Sequence, residues 1–519
     1  MTGNQTSWRS STPLQIGLAL GHVAVLFNAG AYIAMLPRVA GGLGLPPSFA
    51  TWTQTDFMIG LAVGIPLSGA LSLRHGLEPT VRWACLAFAL ASLVCAVAET
   101  LPPFLGGRIA LGVAGGILLP ASQKLSLGAF SDARKDLGLT LWGLLALTPF
   151  TLGTALGGWL AEEAGWRWLF YLNLPIVLLA AAVIPESVTG KAAATPPFDW
   201  IGFALTLLCL FGVQTLLNQG NDLDWLDSAW IAALASMAGL AALGLARTAR
   251  AHPFLELRLL ARRNVAIGLL GLTLGFLCVQ GLLSLLIVQL QLLLGYSSAL
   301  AGLVFLPLFV LAKPGAAIMH SLTRRIDARR LASVNLAGFA LVYFWISRHD
   351  TRAAFDHILW PKLAEGLCLG TFFAPLTTLL LHDLPAPLQA RAAELAGLFR
   401  LAGGAIGITL AGVVLYRRAP FHQSRMVEHL THLDPQTLPA VQGLMRMGHT
   451  ELAALGRLTR TVTQQAAILA IDEAFWMAGW VFLALAGLVW LARPTVVHGR
   501  RRRREDRRTM ALEEMLEEP

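Results

Sequence analysis

The chain has 519 residues, of which 55% are apolar and only 13% charged, and its mean hydropathy is +0.63. This balance excludes a soluble globular domain and fits a polytopic membrane protein. The formal net charge of +9 does not point to nucleic acid: the basic residues fall in short segments between apolar runs and in the C-terminal tail, and no basic patch is interleaved with aromatics.

Met1 to Pro13 is polar, and the apolar run after it is about 20 residues long without a small-residue cleavage site, so it reads as a retained span rather than a signal peptide. Runs long enough for a hydrocarbon core of roughly 30 Å recur about fourteen times. They are Leu14–Met35, Thr51–Leu71, Trp83–Ala98, Phe104–Ala121, Leu137–Leu160, Leu169–Ile184, Trp200–Asn218, Ala229–Ala246, Val265–Leu290, Leu300–Met319, Leu331–Ser347, Ile358–Leu380, Ala396–Tyr416 and Ala474–Leu491. An even number places both termini on one side. Segments after even-numbered spans hold Arg74 and Arg82, then Lys124, Arg134 and Lys135, then Arg247, Arg250, Arg258, Arg262 and Arg263, then Arg324 to Arg330, and last Arg500 to Arg504. Those segments and both termini are therefore expected to be cytoplasmic. The other side carries Glu162, Glu163, Asp222, Asp224 and Asp227, although Arg417, Arg418 and Arg425 blur the contrast.

The fifth run and the turn after it, Leu141 to Pro175, hold Gly143, Gly153, Gly157, Gly158 and Pro149. Glycine and proline are poor helix formers in water, but in lipid the Gly153-x-x-x-Gly157 spacing lets a second helix approach closely. Trp159, Trp166, Trp168 and Tyr171 are expected in an aromatic belt at the membrane boundary. Cys85, Cys95, Cys209, Cys278 and Cys368 each lie inside an apolar run with no CxxC pair, and read as small packing residues. The polar segment Arg417–Glu473 has helically spaced apolar residues in Leu438–Leu458; it is a periplasmic excursion with some helix, or a mobile loop.

An internal repeat is legible. Arg108-I-A-L-Gly112-V-A-G-Gly116, followed by Pro120 and Ser122, matches Lys362-L-A-E-Gly366-L-C-L-Gly370, followed by Pro375 and Thr377. The basic turns Arg74-H-Gly76 and Arg324–Arg330 echo each other more weakly. Two homologous six-helix bundles with an inserted helix pair between them explain both echoes. The expected fold is thus all-α and polytopic, with 14 transmembrane helices in this order: a cytoplasmic N-terminus (1–13), a first bundle (14–190), the inserted pair with its linker (191–264), a second bundle (265–493) containing the long segment 417–473, and a cytoplasmic tail (494–519).

Several of these stretches resemble a known family. Gly153 with Gly157-Gly158-Trp159, and the turn Trp166-Arg167-Trp168-Leu169-Phe170-Tyr171-Leu172-Asn173-Leu174-Pro175, are similar to the fifth-helix antiporter motif of the fourteen-span drug:proton antiporters of the major facilitator superfamily, the EmrB/QacA type. Arg108, Gly112, Gly116 and Pro120 resemble that family's fourth-helix motif. Leu36-Pro37, Ala50-Thr51-Trp52, Phe373–Thr378, Arg400–Gly407 and Asp472–Phe475 extend the likeness over roughly Leu14 to Arg493. The motif order and the long segment before the last span look most like the EmrB-like permease subunit of Gram-negative tripartite pumps. The resemblance implies a major facilitator fold, no cofactor, protons and small molecules as the transported species, and as partners a periplasmic adaptor, an outer-membrane channel and membrane lipid. The chain also departs from the family. Asn28 stands where an aspartate is usual in the first span, Leu73 and Leu77 replace the aspartate and arginine of the loop after the second, and Thr154 replaces the proline of the antiporter motif.

Asp56 is the sharpest candidate for chemistry. An aspartate at mid-helix costs about 2.5–3.5 kcal/mol on insertion scales and is rarely kept for packing. It is expected to load and release protons in place of the missing carboxylate at Asn28; otherwise it lies hydrated near the outer surface. Arg108 either pairs with Asp56, faces the antiporter helix or anchors to headgroups. Glu365 is a second candidate for proton coupling, or a simple ion pair with Lys362 one turn earlier. Asn28, Gln54, Gln280 and Gln289 are interhelical hydrogen-bonding groups or contacts along the substrate pathway, to which Arg400 also belongs. Glu394 is expected in a cytoplasmic loop, and Asp472 as the cap of the last helix. His22, His320 and His357 are isolated and form no metal site. The glycine-rich runs lack Gly-Lys-Ser/Thr for nucleotide phosphates, so an ion gradient is the expected energy source. These features together describe a proton-coupled exporter of drugs or other amphipathic compounds working by alternating access in the bacterial inner membrane. The alternatives are a narrow exporter of an endogenous organic acid or siderophore, and a receptor or scaffold that no longer transports. No nucleophile–base pair suggests an enzyme.

Overall fold

The computed structural model describes residues 12–129, 135–184, 198–248, 254–348, 355–428, 430, 437–447 and 450–495. The expectations for the N-terminal stretch, Arg134, Arg250, most of the 494–519 tail and the start of the inserted segment lie outside them. The described residues are almost wholly helical: α1 Thr12–Gly42, α2 Pro47–His75, α3 Leu77–Val97, α4 Leu101–Ala129, α5 Lys135–Glu163, α6 Trp168–Val183, α7 Trp200–Gly220, α8 Ala229–Thr248, α9 Arg263–Val288, α10 Ser298–Leu303, α11 Leu306–Thr323, α12 Ala328–Ile346, α13 Phe355–Leu381, α14 Ala386–Glu428, α15 Thr437–Arg446 and α16 Glu451–Leu488. Among the described residues, 11 helical stretches are long and apolar enough to cross a membrane, with α10 and α11 forming one of them. The apolar helices α5, α6 and α12 run alongside these and complete the expected number of spans.

Within α1–α6 the main contacts are α2 with α4, α1 with α5, and α3 with α4 and α6. The later helices repeat the scheme, α11 packing on α13, α12 on α13 and α16, and α9 on α14. Glycine makes the repeated contact possible in both halves. A Cβ on Gly112 or Gly116 would strike the backbone of Phe57 or Leu61, and one on Gly366 or Gly370 the carbonyl of Leu308 or Ala312. Two seams join the halves, α2 against α14 and α5 against α10 and α11. The end where α1 begins and α16 finishes is called proximal below, and the other end distal.

Four local expectations need correction. The tenth span is broken at Val304–Phe305 rather than continuous, because Pro307 opens a new helix, α11. The last span does not start at Ala474: α16 is continuous from Glu451, Thr450 is its N-cap, and Asp472 lies inside it. The helical part of the 417–473 segment is therefore the overhang of α14 and α16 with α15 between them. Glu394 is inside α14, its carboxylate 3.5 Å from both Lys124 and Arg391, so it bridges the halves at the proximal end. Trp166 is only 7% exposed and packs edge-on against Phe104 and Phe170. It belongs to the core, whereas Trp159 and Trp168 are half exposed.

Candidate functional site: buried charges in the two halves

Arg108 is fully buried in the distal part of the first half. Its Nε donates to the Thr53 carbonyl at 3.0 Å, one terminal nitrogen to Asn28 Oδ1 at 3.1 Å and the other to Gln54 Oε1 at 2.9 Å. The guanidinium also lies over the rings of Tyr32 and Phe57, 3.7 and 4.3 Å from their centroids. A buried arginine keeps its charge. Here no carboxylate lies within ion-pair distance among the described residues, and amide oxygens, a carbonyl and two aromatic faces hold the charge instead. Asn28 and Gln54 are thereby engaged on Arg108. The carboxamide of Asn28 is imperfectly matched, because its Nδ2 is buried without a partner among the described residues.

Asp56 is one helical turn from Thr53 on α2 and is 9% exposed. It makes neither a hydrogen bond nor an ion pair among the described residues, so the pairing with Arg108 entertained from the sequence is absent; the two charges interact only at longer range. In chemical terms this is a carboxyl group shielded from water with no fixed counter-ion, which can hold or give up a proton with little rearrangement around it.

The second half has a different arrangement around the repeat-related cation. Lys362 and Glu365 are 2% and 1% exposed and form an ion pair of 2.5 Å. Tyr343 donates to the other carboxylate oxygen at 3.2 Å, and the Lys362 ammonium faces the Phe305 ring at 5.6 Å. The ion-pair reading of Glu365 is the one the geometry adopts, although the pair is buried rather than solvated. Tyr32, Phe57, Tyr343 and Phe305 could not be singled out from the sequence, since aromatics in apolar runs look like packing.

Nearer the middle of the chain's seam, Arg400 on α14 lies between the rings of Phe276 and Phe373, 5.3 and 5.2 Å from their centroids. It is part-exposed and has no hydrogen bond or counter-charge among the described residues. Lys313 of α11 is likewise part-buried and unpaired among them. Gln280 meets Met58 of the first half, its Nε2 3.9 Å from the sulfur, and Gly404 is close enough to Met58 that a Cβ would lie 2.7 Å from its terminal methyl.

Helix α5 is held between the halves. Gly153 and Gly157 rest on the backbone of Phe27 and Ala31 in α1, while Gly158 faces the Ser298 carbonyl and Thr154 the glycine at 302. Pro149 is inside this helix, and Pro120 inside α4. Around α5, Arg38 donates to Ser298 at 3.1 Å and Glu162 accepts from the Ala299 amide at 3.1 Å, closing the distal end on this side. Among the described residues no group of three or more His, Cys, Asp or Glu side chains is arranged to hold a metal, and the cysteines are free.

The family model described as Major Facilitator Superfamily matches residues 18–408. The chain is 31% identical over 487 residues to the fatty acid resistance protein FarB of Neisseria gonorrhoeae, covering 93% of this chain and 95% of that one. It is 29% identical over 486 residues to the multidrug export protein EmrB of Escherichia coli K12, with the same coverage. Among solved structures, a bacterial homolog of the human lysosomal transporter Spinster, captured inward-facing and occupied, aligns with a TM-score of 0.60 at 13% identity over 93% of this chain and 97% of that one. The xylose transporter XylE from E. coli aligns with a TM-score of 0.54 at 13% identity, covering 92% and 96%. With its repeated helix packing, the chain belongs to the major facilitator superfamily, among the EmrB-type efflux permeases, and is a multi-pass membrane transporter rather than an enzyme.

Proposed function

We propose that the protein exports amphipathic organic compounds in exchange for protons, by alternating access in the bacterial inner membrane with both termini cytoplasmic. The observation that carries this reading is Asp56, a carboxyl group buried in a span with no counter-ion among the described residues, biased at longer range by a permanently charged Arg108. Protonation removes the cost of burying its charge, and deprotonation is favoured when water reaches it, so its proton affinity follows the state of the transporter. A proton moving down 100 mV contributes about 2.3 kcal/mol before any pH term. The test is ethidium efflux from proteoliposomes under an imposed pH gradient. Asp56→Asn is expected to abolish gradient-driven movement while leaving ethidium binding; unchanged driven transport would remove Asp56 from the mechanism.

A second, narrower reading concerns the substrate. Arg400 between two phenyl rings, with no carboxylate partner among the described residues, suits an amphipathic organic acid whose anionic head meets the guanidinium and whose chain meets the rings. The relative FarB is named for fatty acid resistance, which supports this choice. Arg400→Gln is expected to weaken oleate export more than ethidium export. Equal losses for both would return Arg400 to a structural role.

The relatives' likeness also supports operation with an adaptor and an outer-membrane channel. The distal overhang of α14 and α16, fastened at its base by Arg418 to Glu473 and further out by Gln423 to Thr463, offers a docking element for such an adaptor. Co-purification that survives deletion of residues 424–462 would place the contact elsewhere.

A further inference from the structure

Helix α7 is one of the two inserted helices, and only 22% of its span is buried inside the structure. Two residues on one of its faces, Gln214 and Asn218, are nevertheless polar and buried. Side chains four apart share a helix face, and in lipid they must find partners. Gln214 Nε2 donates to Thr409 Oγ1 of α14 at 2.8 Å and to Asn218 Oδ1 at 3.1 Å. The Thr409 hydroxyl donates to the same Asn218 oxygen at 2.7 Å, and Asn218 Nδ2 donates to Thr55 Oγ1 of α2 at 3.2 Å. Thr55 belongs to the first half and Thr409 to the second, and Thr55 is the neighbour of Asp56. A little further out, Arg417 of α14 donates to Asn221, just past α7, at 2.7 Å.

The network therefore ties three parts of the chain together at the distal end of the α2–α14 seam, opposite the closure made by Arg38, Glu162 and Ser298. Among the described residues Thr55 and Thr409 are linked only through the Asn218 carboxamide. Gln214 Oε1 is buried with no partner among them, so the cluster is incompletely satisfied, and interhelical hydrogen bonds in membranes are individually weak. A rigid structural rivet would be fully paired; this one is suited to opening.

We propose that α7 is a working part of the transport cycle: through Gln214 and Asn218 it latches α2 to α14 at the distal end, and the latch releases when the halves part there. This rests on the alternating-access reading above. It gives the inserted helices a role that two bundles alone do not have. Because Thr55 adjoins Asp56, opening the latch also moves the helix segment that carries the proton site.

The test uses the full-length protein in liposomes, with spin labels at Glu99 and Arg348, exposed residues next to the distal ends of α3 and α12, in a background whose native cysteines are replaced. Thr409→Val keeps the shape and removes the hydroxyl, and Gln214→Met keeps the length and removes the amide. Either is expected to shift the label distances toward longer values, with the open fraction raised about threefold per lost bond, and Thr409→Ser is expected to restore the original distribution. In efflux assays the two variants should change turnover rather than the ethidium concentration at half-maximal rate. Distances that stay unchanged in folded Thr409→Val and Gln214→Met overturn the latch. A wild type that shows no driven transport overturns the exporter reading instead, and the distance measurement does not depend on it. Leu208→Ala, on an exposed face of α7, controls for general damage to the helix.

Discussion

The two halves treat repeat-related buried cations in opposite ways. In the first, Arg108 has no acid within ion-pair distance among the described residues, and its charge is spread over amides, a carbonyl and two rings. In the second, Lys362 is neutralised one turn away by Glu365. The proximal turns differ in the same sense. Asp327, between α11 and α12, accepts from Arg329 at 2.8 and 3.0 Å and from the Thr495 hydroxyl at 3.0 Å, whereas Leu73, near the end of α2, is 62% exposed. The difference separates two jobs. A neutral, locked pair satisfies the buried cation of the second half, while the uncompensated charge of Arg108 in the first leaves an electric field that reaches Asp56.

The sharpest way to break this contrast is to break the locked pair. Glu365→Gln leaves the Lys362 ammonium buried without its anion and is expected to cost about 3–5 kcal/mol, read as a fall in unfolding midpoint in detergent. The double variant Lys362→Met with Glu365→Leu should recover most of that loss, because burying a matched pair gains little over apolar groups. If the single and double variants melt alike, the pair is not the local determinant of stability.

On the other side, Arg108→Lys keeps the charge but loses the planar fork, stranding buried amide oxygens at about 1–3 kcal/mol each. Driven efflux should fall with it. A lysine that supported full transport would show that only the charge matters there. Asn28→Asp would make the first half resemble the second, converting the amide contact into an ion pair and relieving the orphaned Nδ2. We expect a small gain in stability, about 1 kcal/mol, together with a weaker pH dependence of transport, since Asp56 would no longer face an uncompensated arginine. An unaltered pH profile would uncouple Arg108 from the proton step.

The smallest effect belongs to Asp327. Burial opposes its ionisation, but the hydrogen bonds from Arg329 and Thr495 outweigh that and hold the carboxyl below its usual range. Its contribution is therefore complete above the unfolded value of about 3.9 and is lost as pH falls through the lower folded value. Asp327→Asn should lower stability by a small, constant amount at neutral pH and leave it unchanged at the acid end, so that the acid limb flattens. A loss that persists undiminished at the acid end would contradict the assignment.

Much of this was legible in the chain itself. Hydropathy and glycine spacing determined most of the spans and the places on α4, α5 and α13 where a neighbour comes close, because a span must be apolar for its whole length and a close crossing needs residues without side chains. The repeat marked Arg108 and Lys362 as counterparts, and Asp56 stood out because charge is so rarely kept in a span. The partners of these groups were decided only by the tertiary structure. Nothing in the order of residues says that Asn28 and Gln54 turn to Arg108, that Tyr343 completes the Glu365 site, or that Gln214 and Asn218 reach helices on both sides of the seam. Hydrogen bonds and aromatic faces act over a few ångströms between residues that are tens to hundreds of positions apart, so their pairing exists only once the helices have been packed.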